Sequence, residues 1–208
     1  MVNQLPQGWK KEELGKHYEI LRGGSPRPIQ NYITDSTDGI NWIKIGDVDV
    51  ESKYIEKTKE KIKKEGLKKT RTVNVGDIIL SNSMSYGRPY ILKISGAIHD
   101  GWIVLRSVDN SIKNDLLYYS LLTGSVKNQF EAAAAGGVVK NLNIAKVSKT
   151  LITYPTDKDE QEYIVKTLDA VAEMIKLRKE TIQLTKDLIP AIFQEMFGDP
   201  ITNPKGWE

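Results

Sequence analysis

Apolar residues recur at every seventh position over the C-terminal part of the chain. One row consists of Leu168, Ile175, Ile182, Ile189 and Met196. A second row, offset by three residues, consists of Ile164, Val171, Arg178, Thr185 and Ile192 and is polar at two central positions. Two rows with this offset form one apolar stripe on a helix and are typical of a coiled coil. We therefore predict a single long helix over residues 156–197.

The predicted helix is longer than a small domain can cover. Its roughly 40 residues would span about 60 Å, so the stripe favours a partner helix, with a long helix lying on its own domain as the alternative. Asp157 or Asp159 can cap the first turn, and Pro190 should kink the helix without ending it. The residues predicted to pair with the partner are Ile164, Leu168, Val171, Ile175, Ile182, Ile189, Ile192 and Met196.

Upstream of Pro155 the pattern changes to the short periods of strands and loops. Strands are predicted at 42–50, 78–80, 90–94 and 97–105, a helix at 114–134, and a glycine loop followed by short β-type segments at 135–155. The fold class is therefore α+β. We expect a globular mixed α/β domain over 1–155, the coiled-coil-forming helix over 156–197 and a linker over 198–208.

Composition narrows the class of protein. The 208 residues suffice for one ordinary domain plus an extended element, and the apolar share of 39% lies well above the disordered range. The absence of cysteine excludes disulfides, thiolate metal sites and a cysteine nucleophile. No window reaches the roughly 18 consecutive apolar residues of a membrane span, and the N-terminus lacks a signal-peptide core. We expect a cytoplasmic protein without a membrane partner.

Positive charge is concentrated in one segment. The formal net charge of the chain is only +3, whereas residues 51–72 hold nine Lys or Arg and four Glu. Such clustering is expected of a surface that binds nucleic-acid phosphates, although alternating Glu and Lys also occur on a solvated helix. The candidate phosphate contacts are Lys57, Lys59, Lys61, Lys63, Lys64, Lys68, Lys69 and Arg71.

Signatures of catalysis and of metal binding are absent. The sequence has no G-x-G-x-x-G, no G-x-x-x-x-G-K-[ST] and no H-E-x-x-H motif. His17 and His99 have no second ligand at metal spacing, and His99 beside Asp100 is more simply a hydrogen-bonded surface histidine than a general base. We assign no catalytic residue and no metal site, so the sequence indicates a binding protein.

Four segments in a fixed order carry a family resemblance. They are "NWIKIGDV", "GLKKTRTVNVGDIILSNSMSYGRPYIL", "HDGWIVLR" and "GGVVKNLNIAKVSKTLITYPTDKDEQEYIVKTLD". In this order they resemble one target-recognition repeat of the DNA specificity subunit of type I restriction–modification enzymes, and the likeness covers nearly the whole chain. Each element is degenerate on its own. The order, together with the P…EQ…I…L pattern at the start of the long helix, makes the resemblance specific.

The resemblance implies a non-catalytic protein. In that family a full subunit carries two repeats, each a globular target recognition domain followed by a long helix, and the two helices pack antiparallel as a spacer. The subunit directs a methyltransferase subunit, which uses S-adenosylmethionine to methylate adenine, and an ATP-dependent restriction subunit. We therefore expect double-stranded DNA and these two subunits as partners. S-adenosylmethionine and ATP are expected on the partner subunits, and no cofactor on this chain.

Base reading requires side chains with fixed donors and acceptors on loops that can enter a groove. Residues 81–89 are the preferred segment for base contacts and residues 22–31 the second, and each could instead be an ordinary surface loop. A third loop, residues 132–142, could approach the DNA backbone closely through Gly136 and Gly137, aided by Lys140. The candidates are Arg22, Arg27, Gln30, Asn82, Ser83, Ser85, Tyr86, Arg88 and Lys140.

The last residues of the chain repeat its beginning. A Pro-x-Gly-Trp sequence followed by a charged residue occurs at 6–10 and again at 204–208, as expected if a second repeat starts there. The chain would then be a fragment or a natural half subunit. In either case its helix needs a partner, and a two-fold homodimer that reads an interrupted palindrome is the simplest arrangement.

Two rival functions remain open. One is a helix-mediated scaffold or regulator that does not bind DNA sequence-specifically, and the other is an enzyme with a site around Tyr86, His99 and Asp100. DNA binding that weakens steadily as salt rises would favour the specificity subunit over both.

Overall fold

The computed structural model describes residues 5–82, 87–134, 142–199 and 201–206, with backbone only at 133–134. The chain divides into two compact units, residues 1–164 and residues 165–208. The strands are β1 (Trp9–Glu13), β2 (Tyr18–Arg22), β3 (Ile33–Thr34), β4 (Ile40–Ile43), β5 (Tyr54–Ile55), β6 (Glu60–Ile62), β7 (Arg71–Val73), β8 (Ile78–Ser81), β9 (Pro89–Leu92), β10 (Gly96–Ile98), β11 (Trp102–Ser107) and β12 (Leu151–Pro155). The α-helices are α1 (Asn114–Leu122), α2 (Gly124–Ala134), α3 (Ile144–Ser148) and α4 (Lys158–Phe197). Short 3-10 helices occupy Leu14–Lys16, Ile29–Asn31, Ile45–Asp47 and Lys64–Lys69.

The strands of the first unit form three sheets. Sheet I has the order β2-β11-β8-β9-β5, sheet II the order β3-β6-β4-β10-β7, and sheet III pairs β1 with β12. Most neighbouring strands are antiparallel, whereas β4–β10 and β5–β9 are parallel. Mixed sheets together with the long helix α4 confirm the α+β prediction.

Sheets I and II share one apolar core. It joins Ile43, Val73 and Ile98 of sheet II to residues of sheet I such as Ile79 and Trp102, all at most 1% exposed. Side chains alternate between the two faces of a strand, so the neighbours of Ile43 and Ile98 point away from this core. These neighbours, Trp42 and Ala97, form a second cluster with Ile62. Sheet II is therefore apolar on both faces, and its second face must be covered by something other than a sheet.

The P…EQ…I…L pattern is explained by buried hydrogen bonds at the start of α4. The Gln161 side chain is fully buried, and its amide nitrogen donates to the carbonyl oxygens of Ser111 (2.9 Å) and Pro155 (2.8 Å). Its oxygen accepts from the Lys113 backbone N–H at 2.8 Å. Beside it, the Trp9 indole N–H donates to Glu160 at 3.0 Å. These two side chains join β12, the loop before α1 and the N-terminal strand to the first turn of the helix.

Helix α4 begins as the sequence predicts and continues through Pro190 to Phe197. The Asp157 carboxylate caps it by accepting from the backbone N–H of Asp159 (2.7 Å) and Glu160 (3.4 Å). The predicted pairing residues Val171, Ile175, Ile182, Ile189, Ile192 and Met196 are 44–71% exposed, whereas Ile164 and Leu168 are half-buried. A second exposed apolar row, which the sequence analysis did not single out, consists of Met174, Leu177, Leu184 and Leu188. None of the helices in the described ranges has the length and apolarity needed to cross a membrane.

Several local predictions were wrong, and side-chain hydrogen bonds explain two of them. The strand predicted over 42–50 ends at Ile43, because the Asp47 carboxylate accepts from the Lys44 backbone N–H at 2.9 Å and closes a 3-10 turn. Residues 144–148 form helix α3 rather than a strand, because Asn143 caps it by accepting from the Ala145 N–H at 2.8 Å.

The remaining differences concern how elements divide. The single strand predicted over 97–105 is two strands in different sheets, separated by a turn in which the Trp102 N–H donates to the His99 carbonyl. The helix predicted over 114–134 is divided at Thr123 into α1 and α2. The basic segment 51–72 contains β5, β6, the 3-10 helix Lys64–Lys69 and the start of β7. The strand predicted at 78–80 is confirmed as β8.

Candidate nucleic-acid interface

The structure brings two candidate DNA-binding segments together on the second face of sheet II. Residues 24–34, which include most of the proline-rich loop, lie against the basic segment 57–71. The Lys63 backbone N–H donates to the Tyr32 carbonyl at 2.8 Å, and its ammonium group donates to the Asn31 carbonyl at 3.0 Å. Lys69 donates to the Tyr32 hydroxyl at 3.2 Å and lies 5.5 Å from its ring centre. We call this surface, made of residues 24–34 and 57–69, the basic face.

Apolar packing beneath the basic face explains its position. Ile29 and Tyr32 from the loop and Leu67 from the basic segment pack on the cluster of Trp42, Ile62 and Ala97. The covering layer that sheet II requires is thus supplied by these two segments. Their polar residues are left at the surface, because only the apolar ones are needed to cover the sheet.

Two glycines allow the loop to begin where it does. Gly23 donates its N–H to the Trp102 carbonyl at 2.9 Å, and Gly24 to the Ile98 carbonyl at 3.2 Å. A Cβ atom would lie 2.1 Å from the His99 carbonyl oxygen at the first position and 2.7 Å from the Lys69 carbonyl oxygen at the second. Both distances are too short for any side chain, so the chain can leave β2 and reach sheet II only with glycine at these positions.

The cations of the basic face differ in whether they form hydrogen bonds or ion pairs within the protein. Several hold the local structure: Lys59 donates to the Gly46 carbonyl, Lys61 to the Thr37 carbonyl, and Lys64 lies 3.6 Å from Asp38. Lys57, Lys68 and Arg71 are exposed and have no ion pair or side-chain hydrogen bond to any of the described residues. Lys57 and Lys68 are the ones most readily available to phosphate groups on this face. Arg71, two residues before the core residue Val73 and opposite Ile98, projects from the other face of sheet II.

An open cleft of about 740 Å³ lies at one side of the basic face. Its lining is Ser25, Pro26, Arg27, Pro28, Ile29, Gln30, Ile33, Trp42, Lys44, Glu60, His99 and Asp100. The lining therefore combines two cations, two carboxylates and an amide above an apolar floor. Lys44 and Glu60 form an ion pair at 2.5 Å. Such a mixture of donors and acceptors suits the edges of bases better than it suits a row of phosphates.

Asp100 connects the loop to the turn between β10 and β11. Its carboxylate accepts from the Ser25 hydroxyl at 3.0 Å and from the Arg27 guanidinium at 3.3 Å, while its carbonyl oxygen accepts from Arg22 at 3.2 Å. Partial burial alone would raise the pKa of Asp100. The hydrogen bond from Ser25 and the charge of Arg27, joined by the charge that His99 carries in the acid range where Asp100 titrates, outweigh this effect and leave the pKa of Asp100 below the usual range. Asp100 is therefore a carboxylate at neutral pH.

His99 is held by the backbone. The Gly101 nitrogen lies 2.6 Å from Nδ1 and the Ile45 nitrogen 3.3 Å from Nε2. A neutral imidazole has one acceptor nitrogen, and the shorter distance assigns that role to Nδ1, which accepts from the Gly101 N–H. The ring lies 6.3 Å from each of Trp42 and Trp102. Burial lowers the pKa of His99, so the ring is neutral at neutral pH. This geometry is that of a hydrogen-bonded structural histidine.

The preferred reading loop is only partly described. Ser83, Ser85 and Tyr86 lie outside the described residues, as does Lys140 in the third candidate loop. Arg88 is half-buried, with its guanidinium carbon 5.9 Å from the Tyr90 ring centre.

Asn82 corrects part of the sequence interpretation. It is 1% exposed, its backbone N–H donates to the Gly101 carbonyl at 2.7 Å, and its side-chain oxygen accepts from the Leu142 N–H at 2.6 Å. A side chain enclosed and engaged in this way holds the interior together, and we remove it from the set proposed to contact DNA.

Sequence reasoning missed two residues of the cleft. Lys44 and Glu60 were not singled out, and Asp100 was considered only as a partner of His99. Lys44 directly follows the last residue of β4, and Glu60 begins β6, which pairs with that strand. The antiparallel register that brings them together involves residues about 16 positions apart, so no local sequence pattern signals it.

Comparison with known proteins supports the same interpretation. A family model described as "Type I restriction modification DNA specificity domain" matches residues 6–186. Among solved structures, a chain from a study of complex assembly and conformational transition of the type I R-M system matches with a TM-score of 0.74 at 20% identity, over 93% of this chain and 46% of that one.

Two further solved structures share the fold. The HsdS subunit from Thermoanaerobacter tengcongensis gives a TM-score of 0.66 at 22% identity, over 86% of this chain and 41% of its own. The type I restriction-modification system S subunit from M. genitalium gives a TM-score of 0.57 at 18% sequence identity, over 93% of this chain and 47% of its own. This chain thus spans about half the length of the solved chains that it matches. Because the family model covers most of the sequence, the chain belongs to the type I restriction modification DNA specificity domain family.

Proposed function

We propose that this chain is a sequence-specific DNA-binding specificity subunit of a type I restriction–modification system. One observation carries the proposal beyond family membership. Two segments that 22 residues separate in the sequence, one rich in cations and the other a polar loop, form one surface over sheet II. A DNA-binding surface needs both kinds of group, since phosphate contacts supply affinity and base contacts supply selectivity.

The two parts of the surface suit different parts of the duplex. Lys57 and Lys68 are exposed, and unpaired cations of this kind neutralise phosphates and release counterions. The cleft is lined in part by Arg27 and Gln30, which carry the donor patterns that read guanine and adenine. The apolar packing of Ile29 and Tyr32 supports the backbone of the loop from which these side chains project.

A titration of DNA binding across salt tests the proposal. The logarithm of the binding constant should fall linearly with the logarithm of salt concentration. In the double variant Lys57→Ala/Lys68→Ala, the slope of the logarithm of the binding constant against the logarithm of salt concentration should be less negative by up to about 1.8. Each lost phosphate contact accounts for about 0.9 of this change. Lys127→Ala is the matched control. It removes an exposed lysine that lies outside the basic face, on α2, which packs against α1 and α3. Binding that does not respond to salt would refute the proposal.

We further propose that α4 pairs with the corresponding helix of a second copy. The exposed row from Val171 to Met196 supports this, because an apolar stripe of that length marks an interaction surface. A two-fold dimer is isologous, so each helix would cover the other. Two identical basic faces would then meet inverted half-sites, and the target would be an interrupted palindrome.

The repeated Pro-x-Gly-Trp sequence supports the two-repeat architecture behind this pairing. At the N-terminus the Trp9 N–H donates to the Pro6 carbonyl at 3.1 Å, and Gly8 has a φ of 81°. At the second occurrence Gly206 has a φ of 68°. Both glycines thus adopt the left-handed conformation that favours glycine. The likeness extends from sequence to backbone conformation.

Two measurements test the pairing. Light scattering should give the mass of a dimer at micromolar concentration, and a monomer at every concentration would overturn it. Selection of bound duplexes from a randomised pool should return an interrupted palindrome. An asymmetric selected site would mean that the second half-site is bound by a different recognition domain and not by a second copy of this chain.

Recruitment of partner subunits is the last part of the proposal. The second exposed row, Met174, Leu177, Leu184 and Leu188, makes the apolar surface of α4 wider than a single two-helix seam. We propose that this extra width contributes to docking a methyltransferase subunit that methylates adenine with S-adenosylmethionine, with an ATP-dependent restriction subunit joining the complex. This chain itself would be non-catalytic and bind neither cofactor. Capture of an adenine methyltransferase by the wild-type chain, and its loss on Leu184→Lys, would test this.

A further inference from the structure

We propose that Arg27 reads a guanine in the major groove of the target and that Asp100 is the positioning residue for its guanidinium group. The inference rests on the proposed DNA-binding function and deepens it, because it assigns one side chain to one base. Arg27 is the specificity-determining residue, since it touches the base. Asp100 acts only through Arg27.

The position of Arg27 is unusual among the cations of the basic face. Its side chain is 81% exposed, yet its guanidinium is tied to the Asp100 carboxylate at 3.3 Å. Pro26 and Pro28 flank it and restrict the backbone on both sides. The next residue, Ile29, packs on the Trp42 cluster. An exposed side chain on a backbone fixed in this way can present its donors in one direction.

The carboxylate beside Arg27 favours a base over a phosphate. A phosphate contact gains from net positive charge, which Asp100 largely cancels at this spot. A guanine edge is neutral and offers two acceptors, O6 and N7, that match the paired N–H donors of a guanidinium. A carboxylate that holds one side of the guanidinium leaves donors on the other side aimed outward and reduces the rotamer freedom lost on binding.

Asp100 is itself held in place by contacts that do not involve Arg27. The Ser25 hydroxyl donates to its carboxylate, and its backbone N–H lies 3.3 Å from the same Ser25 oxygen. Arg22 donates to its carbonyl oxygen. The loop that carries Arg27 and the turn that carries Asp100 are therefore fastened together before any DNA arrives. The guanidinium is oriented by the protein and not by the ligand.

The test begins with duplexes selected by the wild-type chain from a randomised pool. Each guanine of the selected site is replaced in turn by 7-deazaguanine, which lacks the N7 acceptor. We expect one guanine in each half-site at which replacement weakens wild-type binding by about 5- to 150-fold. The same replacement should have almost no effect on Arg27→Ala. Arg27→Lys should not restore the sensitivity, because an ammonium group lacks the paired donors.

The matched control separates base reading from phosphate binding. Lys57→Ala should weaken all duplexes evenly and keep the full sensitivity to 7-deazaguanine. If Arg27→Ala instead weakens all duplexes evenly and keeps the sensitivity at every guanine, the inference is overturned while the proposed function stands. If the wild-type chain selects no sequence from the pool, the proposed function itself fails.

Asp100→Asn tests the positioning role with two readouts that a purely structural residue would not give. Removal of its charge should reduce the preference for the identified guanine and at the same time strengthen binding to unrelated duplexes. In the Arg27→Ala background the same substitution should leave the preference for that guanine unchanged. Ser25→Ala, which removes only the hydrogen bond to the carboxylate, should give a weaker form of the same loss. Equal loss for Asp100→Asn with and without Arg27 would contradict the positioning role.

Discussion

Isoleucine side chains are buried in one unit of the chain and exposed in the other. In the unit of residues 1–164, Ile43 and Ile98 are 0% exposed within the core shared by sheets I and II. In the unit of residues 165–208, Ile182 is 55% and Ile189 71% exposed. Burial of an isoleucine side chain is worth about 1.5–3 kcal/mol, so the first unit gains this free energy from its own fold. The second can gain it only from another molecule or another part of a longer chain.

The difference shows where each unit obtains its stability. The first unit has a closed core and needs no partner to bury it. Helix α4 beyond residue 164 has the length of a stable helix, but most helical stability in proteins comes from packing of an apolar face. We therefore expect mutations in the core to act on folding and mutations on the exposed row to act on association.

The largest effect is expected from Ile182→Lys on association. A lysine in a helix–helix seam must be desolvated, which costs several kcal/mol for each ion, and a two-fold dimer would carry two of them. Light scattering and sedimentation should show at least a 100-fold weaker dimer.

Gln183→Lys is the control for Ile182→Lys. It adds the same charge at the next residue, which points to a different side of the helix and can keep its i,i+4 contact with Asp187. This variant should remain dimeric. If both variants dimerise as the wild type does, the exposed row is not the pairing surface.

Trp102→Ala should have the next largest effect and should act on the first unit. The side chain is fully buried, packs edge-on against Tyr90 and donates its indole N–H to the Ile43 carbonyl at 3.1 Å. Truncation of a buried tryptophan costs about 3–5 kcal/mol in the free energy of unfolding. Urea unfolding should show this loss, while an unchanged mass below the transition would show that helix pairing is independent of the core.

A third effect is expected at the first turn of α4. Gln161→Leu would leave the backbone N–H of Lys113 and the carbonyl oxygens of Ser111 and Pro155 without their side-chain partner. Buried polar groups left unsatisfied cost about 1–3 kcal/mol, and thermal unfolding should detect the change. Gln7→Leu, at an exposed position, should leave the melting temperature within a degree or so. Equal melting of the two variants would contradict the role given to Gln161.

Much of the fold could be predicted because it depends on local patterns. The seven-residue repeat and the acidic cap at Asp157 define α4, and apolar runs define β8 and β9. The sequence could not show that residues 97–105 divide between two sheets. That division depends on partners far along the chain, since β10 pairs with β4 and β7 while β11 pairs with β2 and β8. The 3-10 turn closed by Asp47 and the helix capped by Asn143 also override strand propensity.

The candidate interface was predictable in its parts and not in its arrangement. Charge clustering indicated residues 57–71, and prolines beside Arg27 indicated a stiff loop. Their meeting on sheet II depends on the apolar residues Ile29, Tyr32 and Leu67, which carry no functional signal. The burial of Asn82 could not be foreseen either, because the atoms that enclose it come from residues 101 and 142. Local sequence thus identifies the groups that can bind, and tertiary packing decides which of them are presented.

The smallest effect concerns the behaviour of the first unit in acid. Glu12 accepts from the Tyr154 hydroxyl at 2.7 Å, from Lys16 at 2.9 Å and lies 3.0 Å from His17, whose other nitrogen lies 2.7 Å from Asp109. Hydrogen bonds from Tyr154, Lys16 and His17 lower the pKa of Glu12 from 4.5 to about 2. Burial would raise the pKa of Asp109, but hydrogen bonds from Ser111 and His17 lower it from 3.8 to about 2.

Both carboxyl groups therefore bind protons more weakly in the folded state than in the unfolded state. Their contribution to stability is complete above about pH 5 and is lost as the pH falls towards 2. The melting temperature of the wild type should decrease through that window, and Glu12→Gln should make the decrease shallower, because it removes one of the two groups. Glu13→Gln, an exposed neighbour with the same change in charge, should leave the wild-type slope unchanged. Equal slopes for all three proteins would mean that the cluster around His17 does not link protons to folding, and that the acid sensitivity of the first unit arises elsewhere.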